Sequence, residues 1–218
     1  MDKRTYKDRV YHELAGVMKA LSNPHRQEIL ELLAQGTFSV EKVAEEAEIS
    51  VANASQHLQI MKRAQLLTTK RQGNFVYYTL ANPKVYEAWK TLRDLGIEHI
   101  AELERTMHSF RKSRNSIEAL TTDQLLDKMN RNEVTVLDVR PKTEYAEGHI
   151  SGALNIPVEQ LSERLSELPQ DREIVAYCRG PFCVFADEAV RLLNEHGFRA
   201  HRLEDGFPEW KLDELPTS

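Results

Sequence analysis

Apolar residues in the first half of the chain recur every three or four positions, which predicts short amphipathic helices around one core. Three such runs follow residues that commonly cap helices, namely Asn23, Ser39 and Ser50. The first run also has Pro24 at the favoured first helical position, and Gly36 ends it. The apolar positions are Ile29, Leu30 and Leu33 in the first run, Val40, Val43, Ala44 and Ala47 in the second, and Ala54, Leu58 and Met61 in the third.

The third helix leaves polar side chains on its other faces, of the types that read base edges and hold phosphates. They are Asn53, Ser55, Gln56, His57 and Gln59. Two β-rich runs then flank Gln72-Gly73-Asn74 and predict a hairpin with Lys70 and Arg71 near its tip. A small helical bundle would account for any one element. Their order favours a winged helix-turn-helix on double-stranded operator DNA, with the helix in the major groove and the wing on the backbone or minor groove.

The segments Leu21 to Arg26 and Ala54 to Met61 resemble the ArsR family of bacterial repressors, and the likeness covers about residues 8–100. The resemblance implies Ser55, Gln56 and His57 at the DNA, and a homodimer built on the N-terminal helix and a long helix at about residues 83–112. Interface candidates on that long helix are Val85, Trp89, Leu92, Ile97, Ile100 and Leu103. Gln65 departs from the family, which often has Gly before the wing.

Metal binding is not expected, and neither is a cofactor. Many relatives sense metals through cysteines on the second motif helix, but residues 39–48 contain none. A second family site uses Asp and His on the last helix. The available residues do not match its spacing and fit a solvated helix face instead; they are Asp94, His99, Glu102 and His108.

Strand-like runs alternate with helical patterns in the second half, which predicts an α/β domain with a parallel sheet. Strands are expected at residues 134–140, 173–177 and 199–203, and a further strand after a glycine-punctuated turn within residues 148–157. Helices are expected at residues 142–147, 158–168, 184–196 and 206–212. Ligands of such sheets lie at the carboxyl ends of the strands. Cys178 directly follows one of these strands.

Both cysteines of the chain, Cys178 and Cys183, lie in the loop between that strand and the next helix. Backbone N–H groups of such a loop and the positive end of the helix favour a thiolate, and a second thiol suits reversible sulfur–sulfur chemistry. The alternative is a pair of small buried apolar residues. Zinc is not expected because further ligands at suitable spacing are missing. A permanent disulfide is not expected either, because no signal peptide opens the chain and a reducing cytoplasm is the default location.

Four segments of the second half together resemble a rhodanese domain over about residues 116–214. They are Leu137 to Arg140 with Glu144-Tyr145, Gly148 to Ala153, Cys178 to Gly180, and Gly206 to Trp210. The resemblance implies that Cys178 accepts sulfane sulfur as a persulfide and passes it to an acceptor. Asp138 and Arg140 would support the loop and the sheet edge, as a structural ion pair more than in direct catalysis.

The cysteine loop has the length found in sulfur-transferring members and is shorter than in relatives that hydrolyse phosphate esters. Its last position is Cys183, which could capture a persulfide internally and so reduce ordinary turnover. Arg179 has two interpretations: it attracts an anionic donor such as thiosulfate, or it is a solvated loop charge.

Charge is divided between the halves. Residues 1–115 contain 18 Lys and Arg against 14 Asp and Glu, whereas residues 116–218 contain 11 against 20. Together with the polar stretch Arg111 to Ser116, this predicts two domains with different partners, residues 1–115 and 116–218. No run of 18 apolar residues is present, so no membrane partner is expected.

The fold class predicted is therefore a mainly α winged helix-turn-helix followed by an α/β rhodanese-like domain. The functional hypothesis is a transcriptional regulator whose DNA binding depends on sulfur chemistry at Cys178 and Cys183, with polysulfide or thiosulfate as donor and a disulfide or polysulfide link as product. One alternative is a sulfurtransferase that its helix-turn-helix half dimerises or places on DNA. A lesser alternative is a sensor that holds arsenite or a similar thiophilic ion.

Overall fold

The structure, a computed structural model, describes residues 1–113 and 118–218. The chain forms two compact units, Met1–Trp89 and Lys90–Ser218. The helix Pro83–His99 begins in the first unit and ends in the second. The predicted domain boundary between residues 115 and 116 lies outside the described residues and stays a prediction. Within the described part of the chain, no helix is both long and apolar enough to cross a membrane.

The first unit combines helices with a small antiparallel sheet of strand order β1-β3-β2. In chain order, its elements are α1 (Lys3–Leu21), α2 (Pro24–Gln35), β1 (Phe38–Ser39), α3 (Val40–Glu46), α4 (Val51–Arg63), β2 (Leu67–Gln72), β3 (Phe75–Leu80) and the start of α5 (Pro83–His99). This is the predicted winged helix-turn-helix arrangement. The strand β1 was not predicted because two residues carry no recognisable pattern.

All three predicted helix caps are confirmed. The side chain of Asn23 accepts a hydrogen bond from the backbone N–H of Arg26, and Ser39 and Ser50 cap α3 and α4 in the same way. The predicted inward residues of α4 are completely buried; they are Ala54, Leu58 and Met61. Local capping and apolar spacing therefore agree with the packing of this unit.

The wing is a hairpin of β2 and β3 joined by the two residues Gly73 and Asn74. Gly73 has φ of 58°, a backbone conformation that such tight turns require and that glycine adopts without strain. The hydroxyl of Tyr78 on β3 accepts a hydrogen bond of 3.1 Å from Gln59 Nε2 on α4. This bond ties the wing to the helix that carries the candidate DNA-reading residues.

The single long helix predicted for residues 83–112 is wrong. Helix α5 ends at His99, Ile100 takes an extended conformation with φ of −103° and ψ of 93°, and α6 spans Ala101–Lys112. Glu102 and Glu104 lie in the first turn of α6, where negative charge favours a helix start, and His99 lies in the last turn of α5. The apolar spacing continues across the break, so it did not reveal the interruption.

The second unit is an α/β domain with a five-stranded parallel sheet of order β4-β8-β7-β5-β6, as the alternating pattern predicted. After α6, its elements are β4 (Ala119–Leu120), α7 (Thr122–Asn130), β5 (Val134–Asp138), α8 (Lys142–Glu147), β6 (Leu154–Asn155), α9 (Val158–Leu161), a 3-10 turn (Leu165–Glu167), β7 (Glu173–Tyr177), α10 (Val184–Glu195), β8 (Ala200–Leu203) and α11 (Phe207–Leu212). The continuous helix predicted at 158–168 is wrong. Leu161 and Leu168 are buried by α9 and the 3-10 turn instead, so their spacing did not distinguish the two geometries.

The central strand β7 divides its side chains between two cores, one on each face of the sheet. Ile174 and Ala176 belong to the core beneath α10, which also contains Cys178. Val175 and Tyr177 belong to the core that contains Trp210 of α11. Because side chains alternate between the two faces of a strand, the consecutive residues Tyr177 and Cys178 at its carboxyl end lie in different cores.

Gln65, just before the wing, has φ of 58°, a left-handed conformation that is unfavourable for residues with a side chain. We expect Gln65→Gly to raise the free energy of unfolding by ~0.5–1 kcal/mol, measured by urea unfolding. As a control, Lys62→Gly within α4 should lower it by ~1 kcal/mol because glycine is a poor helix former. A loss of stability in Gln65→Gly would contradict this account.

Candidate functional site

The cysteine loop leaves the carboxyl end of β7 and enters α10, as predicted. Cys178 follows the strand directly and is 2% exposed, and Cys183 is the N-terminal cap residue of α10. The backbone N–H of Cys183 donates to the carbonyl of Gly180 at 3.1 Å, which makes the loop a tight turn. Both cysteines therefore lie at the carboxyl ends of the strands, where parallel α/β domains bind ligands.

Cys178 and Cys183 are joined by a disulfide, with their Cα atoms 6.3 Å apart. That separation lies within the range of disulfides generally. The sequence does not predict a permanent disulfide, but the structure contains this bond, which is also the product named in the functional hypothesis. The alternative of two unconnected buried thiols does not hold for this structure. The loop backbone accommodates a direct sulfur–sulfur bond between its first and last residues.

Asp138 and Arg140 form a buried ion pair at the end of β5, and both side chains are fully buried. Arg140 Nη2 lies 2.6 Å from Asp138 Oδ2, and the backbone N–H of Arg140 donates to Oδ1 at 2.9 Å. Tyr177, the last residue of β7, donates its hydroxyl to Asp138 Oδ2 at 2.5 Å. Burial, together with the Asp138 carboxylate, raises the pKa of Tyr177 well above its usual range, so the hydroxyl stays a donor. This group of contacts joins the carboxyl ends of the neighbouring strands β5 and β7.

Arg179 is not a solvated loop charge, because it is mostly buried in an ion pair, and its attraction for an anionic donor stays a prediction. Its guanidinium forms a two-point ion pair with Glu144 of α8, in which Nε lies 3.0 Å from Oε2 and Nη2 contacts Oε1. Glu144 is 1% exposed and Arg179 16%. The guanidinium carbon also lies 5.4 Å from the ring centre of Phe185. Arg179 therefore anchors the loop to α8 through Glu144, a residue that belongs to the rhodanese resemblance but has no predicted role.

The structure adds a further group of residues around the loop that the sequence analysis did not identify. The backbone N–H of Phe207 donates to the carbonyl of Cys178 at 3.1 Å. Glu209 of α11 pairs with Arg93 of α5, with Nη1 2.6 Å from Oε1. Arg111 of α6 donates from Nη2 to the carbonyl of Pro181 at 2.7 Å. No local signal indicates these contacts, since Arg93 and Glu209 are 116 positions apart.

Four of the five candidate DNA-reading residues on α4 are accessible. Gln56 and Gln59 are exposed, and Asn53 and Ser55 are half-buried. Lys70 and Arg71 on β2 are exposed and pair in register with Tyr77 and Val76. These positions fit a helix face and a wing that meet a nucleic acid.

His57 differs from its prediction because it lies on the buried side of α4, with 8% exposed. Positions 54, 57, 58 and 61 share one face of a helix, so the spacing that buries Ala54, Leu58 and Met61 also buries His57. Among the described residues its Nδ1 has no hydrogen-bond partner. Burial, with a smaller contribution from Arg26, lowers the pKa of His57 below its usual value.

Within the described residues no group of three or more histidine, cysteine or acidic side chains is arranged to hold a metal ion. Asp94, His99, Glu102 and His108 therefore form no such cluster.

Comparison with known proteins agrees with this two-part architecture. A helix-turn-helix domain family matches residues 21–70, and the rhodanese-like domain family matches residues 121–213. The HTH-type transcriptional regulator Rv0324 of Mycobacterium tuberculosis is 41% identical over 205 residues, which is 94% of this chain and 90% of the relative. The chain therefore belongs to the family of HTH-type transcriptional regulators and carries a C-terminal rhodanese-like domain.

Each half also has relatives of its own. A sulfurtransferase of Allochromatium vinosum is 32% identical over 103 residues, which is 47% of this chain and 92% of that protein. A structure of the fragment 1–100 of Mb0332 from Mycobacterium bovis is described as a homodimeric winged helix-turn-helix domain of a possible ArsR-family regulator. It is 33% identical, covers 46% of this chain and 91% of its own, and has a TM-score of 0.43.

The Arg179–Glu144 pair should behave as a buried anchor. We expect Glu144→Ala and Arg179→Ala each to lower the free energy of unfolding of the oxidised protein by ~3–5 kcal/mol, because each leaves an uncompensated buried charge. The double variant should lose much less than the sum, as measured by urea unfolding. The exposed pair Arg191–Glu195 is the control, with an expected coupling below ~0.5 kcal/mol. Additive losses at Arg179 and Glu144 would show that Arg179 is not held by this carboxylate.

Proposed function

We propose that this chain is a DNA-binding regulator that responds to sulfane sulfur through Cys178 and Cys183. The observation that carries the proposal is the position of both cysteines in one loop, close enough to be bonded, at the carboxyl end of β7. The family of the chain supports the DNA-binding part, and the rhodanese-like domain supports the sulfur chemistry. In a reducing cytoplasm the two thiols would stay reduced, so formation of the disulfide would signal a change in sulfur chemistry.

The proposed chemistry has two balanced steps. The thiolate of Cys178 attacks the outer, sulfane sulfur of a donor R–S–SH, forming Cys178–S–SH and releasing RS⁻. The thiolate of Cys183 then attacks the Sγ atom of Cys178, which forms the disulfide and releases hydrosulfide, HS⁻. Overall two thiols are oxidised and one sulfane sulfur is reduced, so no other oxidant is needed. A thiol restores the reduced loop by exchange.

The DNA-binding part of the proposal places α4 in the major groove and the hairpin β2–β3 beside it. We infer a homodimer, because two helices expose large apolar side chains that a second copy would cover. These are Tyr6, Tyr11, Leu14 and Met18 on α1, and Leu92 and Leu95 on α5. Trp89, expected at the same interface, is instead buried in the first unit with its Nε1 3.3 Å from Glu31.

A sulfurtransferase remains the second candidate function, supported by the likeness of the second half to the Allochromatium vinosum protein. Two features favour a regulator over rapid turnover. Cys183 is bonded to Cys178 and would intercept a persulfide, and the guanidinium of Arg179 is already paired with Glu144.

DNA binding should depend on the exposed residues of α4 and the wing in two distinct ways. Gln56→Ala should reduce discrimination between operator and unrelated duplex by ~1–3 kcal/mol, because an amide reads base edges. The double change of Lys70 and Arg71 to Ala should weaken all duplexes alike and reduce the slope of log affinity against log salt by ~1–2. The control changes Arg191 and Lys211 to Ala, two exposed residues of the second unit, and removes the same charge. Equal weakening in this control would contradict a role for the wing.

The variant Cys183→Ser should distinguish a regulator from a sulfurtransferase. Treated with polysulfide, the wild type should form the loop disulfide and change its operator affinity by ~5–150-fold. Cys183→Ser should hold a persulfide on Cys178, seen by intact mass, with little change in affinity, whereas Cys178→Ser should form neither product.

An enzyme would give a different pattern in the same experiment. Cys183→Ser would turn over thiosulfate faster than the wild type because the internal trap is gone, and affinity for DNA would ignore the sulfur state. Equal operator binding by treated and untreated wild type, with the disulfide verified by mass, would overturn the regulator proposal.

A further inference from the structure

Glu209 uses its two carboxylate oxygens to hold two different parts of the second unit. Oε1 lies 2.6 Å from Arg93 Nη1 on α5, and the side chains are 1% and 2% exposed. Oε2 accepts the backbone N–H of Gly206 at 3.0 Å. Because this carboxylate is buried and bonded to both partners, a displacement of one partner moves the carboxylate and with it the other partner.

On one side of this carboxylate, the segment Gly206-Phe207 rests on the cysteine loop. A Cβ atom at Gly206 would overlap the backbone of Arg179 and Gly180, so only glycine fits so close to the loop. The next residue, Phe207, donates its N–H to the carbonyl of Cys178 at 3.1 Å. The backbone of the first three loop residues is therefore in direct contact with this segment.

On the other side, Arg93 lies on α5, the helix that continues from the winged helix-turn-helix unit. Its guanidinium is fixed by a second carboxylate, since Nε lies 3.0 Å and Nη2 2.8 Å from Asp94 Oδ1. Arg93 is only 4% exposed, so it has no freedom to leave Glu209 for solvent without opening the packing around it.

A second contact joins the same loop to α6, the helix that follows α5. Arg111 Nη2 donates to the carbonyl of Pro181, in the middle of the loop, at 2.7 Å. Arg111 also lies near the buried Arg202, and burial, with a smaller contribution from Arg111, lowers the pKa of Arg202 to about 10. The helical segment 83–112 thus has two links to the loop, one at Arg93 through Glu209 and one at Arg111 directly.

We propose that the Gly206–Glu209–Arg93 connection, assisted by Arg111, transmits the bonding state of the cysteine loop to α5. Its regulatory meaning rests on the proposed function, in which that bonding state changes. When the disulfide opens, the two sulfurs separate and the backbone between them takes a second arrangement. Gly206 lies against that backbone and Pro181 is part of it, so the change passes to Arg93 through Glu209 and to α6 through Arg111. The two-state element required for coupling is the loop itself.

The test is hydrogen–deuterium exchange of the α5 amides at residues 90–99, compared between the disulfide and dithiol forms of the full chain. In the wild type we expect exchange to differ by about fivefold or more between the two forms. Glu209→Gln keeps an acceptor for Gly206 but removes the ion pair, so the difference should fall below about twofold. Lys128→Gln is the control, because it breaks the Lys128–Glu173 ion pair of the same unit, and the full difference should remain.

Two further variants keep the test decisive if Glu209→Gln does not fold. Arg93→Lys retains the charge and should retain part of the difference, whereas Arg111→Gln removes the contact to Pro181 and should reduce it. Equal α5 exchange in the two wild-type forms, or an undiminished difference in the variants, would overturn the inference.

Operator affinity of the same samples separates this result from the proposed function. If α5 responds to the disulfide while operator affinity does not change, the connection stands and the regulator proposal fails. If affinity changes while α5 exchange stays equal, the regulator proposal stands and this connection is wrong.

Discussion

The buried contacts of the Asp138 carboxylate hold together the carboxyl ends of strands β5 and β7, from which the cysteine loop starts. The carboxylate accepts hydrogen bonds from Arg140 at the end of its own strand and from Tyr177 at the end of the neighbouring strand. A fully buried carboxylate is tolerated only when it is paired and hydrogen-bonded, so the partners and their strands are fixed together. Cys178 directly follows Tyr177, and the start of the loop is set by this carboxylate.

The second unit contains three pairs in which a buried acidic residue binds an arginine. The pairs are Asp138 with Arg140, Glu144 with Arg179, and Glu209 with Arg93. Buried ion pairs add little to stability compared with apolar packing of the same volume, but losing one partner is costly. They therefore specify one arrangement of the loop and its supports more than they strengthen the fold.

Most of the fold could be predicted from the sequence because helix caps, apolar spacing and turn residues are local signals. Asn23, Ser39 and Ser50 begin helices as expected, and the alternation in the second half does give a parallel sheet. The failures have equally local causes. The two-residue strands β1 and β4 carry no pattern, and the break at Ile100 interrupts a helix without interrupting its apolar spacing. His57 was assigned to the polar face from its residue type, although its position in the helical period buries it.

The candidate site could be predicted only in part. The cysteines and their position after a strand followed from the motif, whereas the partners of the loop did not. Arg179 lies 35 positions from Glu144, and Arg111 lies 70 positions from Pro181. Such pairs form only when the folded sheet brings distant segments together. A single sequence therefore does not predict which residues will pair.

The short separation of the two cysteines has a kinetic consequence. Five positions apart in one loop, they close their bond within a single polypeptide, so the rate of closure is independent of how much protein the cell contains. A bond between subunits would instead form only where two chains meet. In the proposed homodimer each copy would therefore close or open its own ring, so dimers with one closed and one open ring would form whenever only part of the rings has reacted.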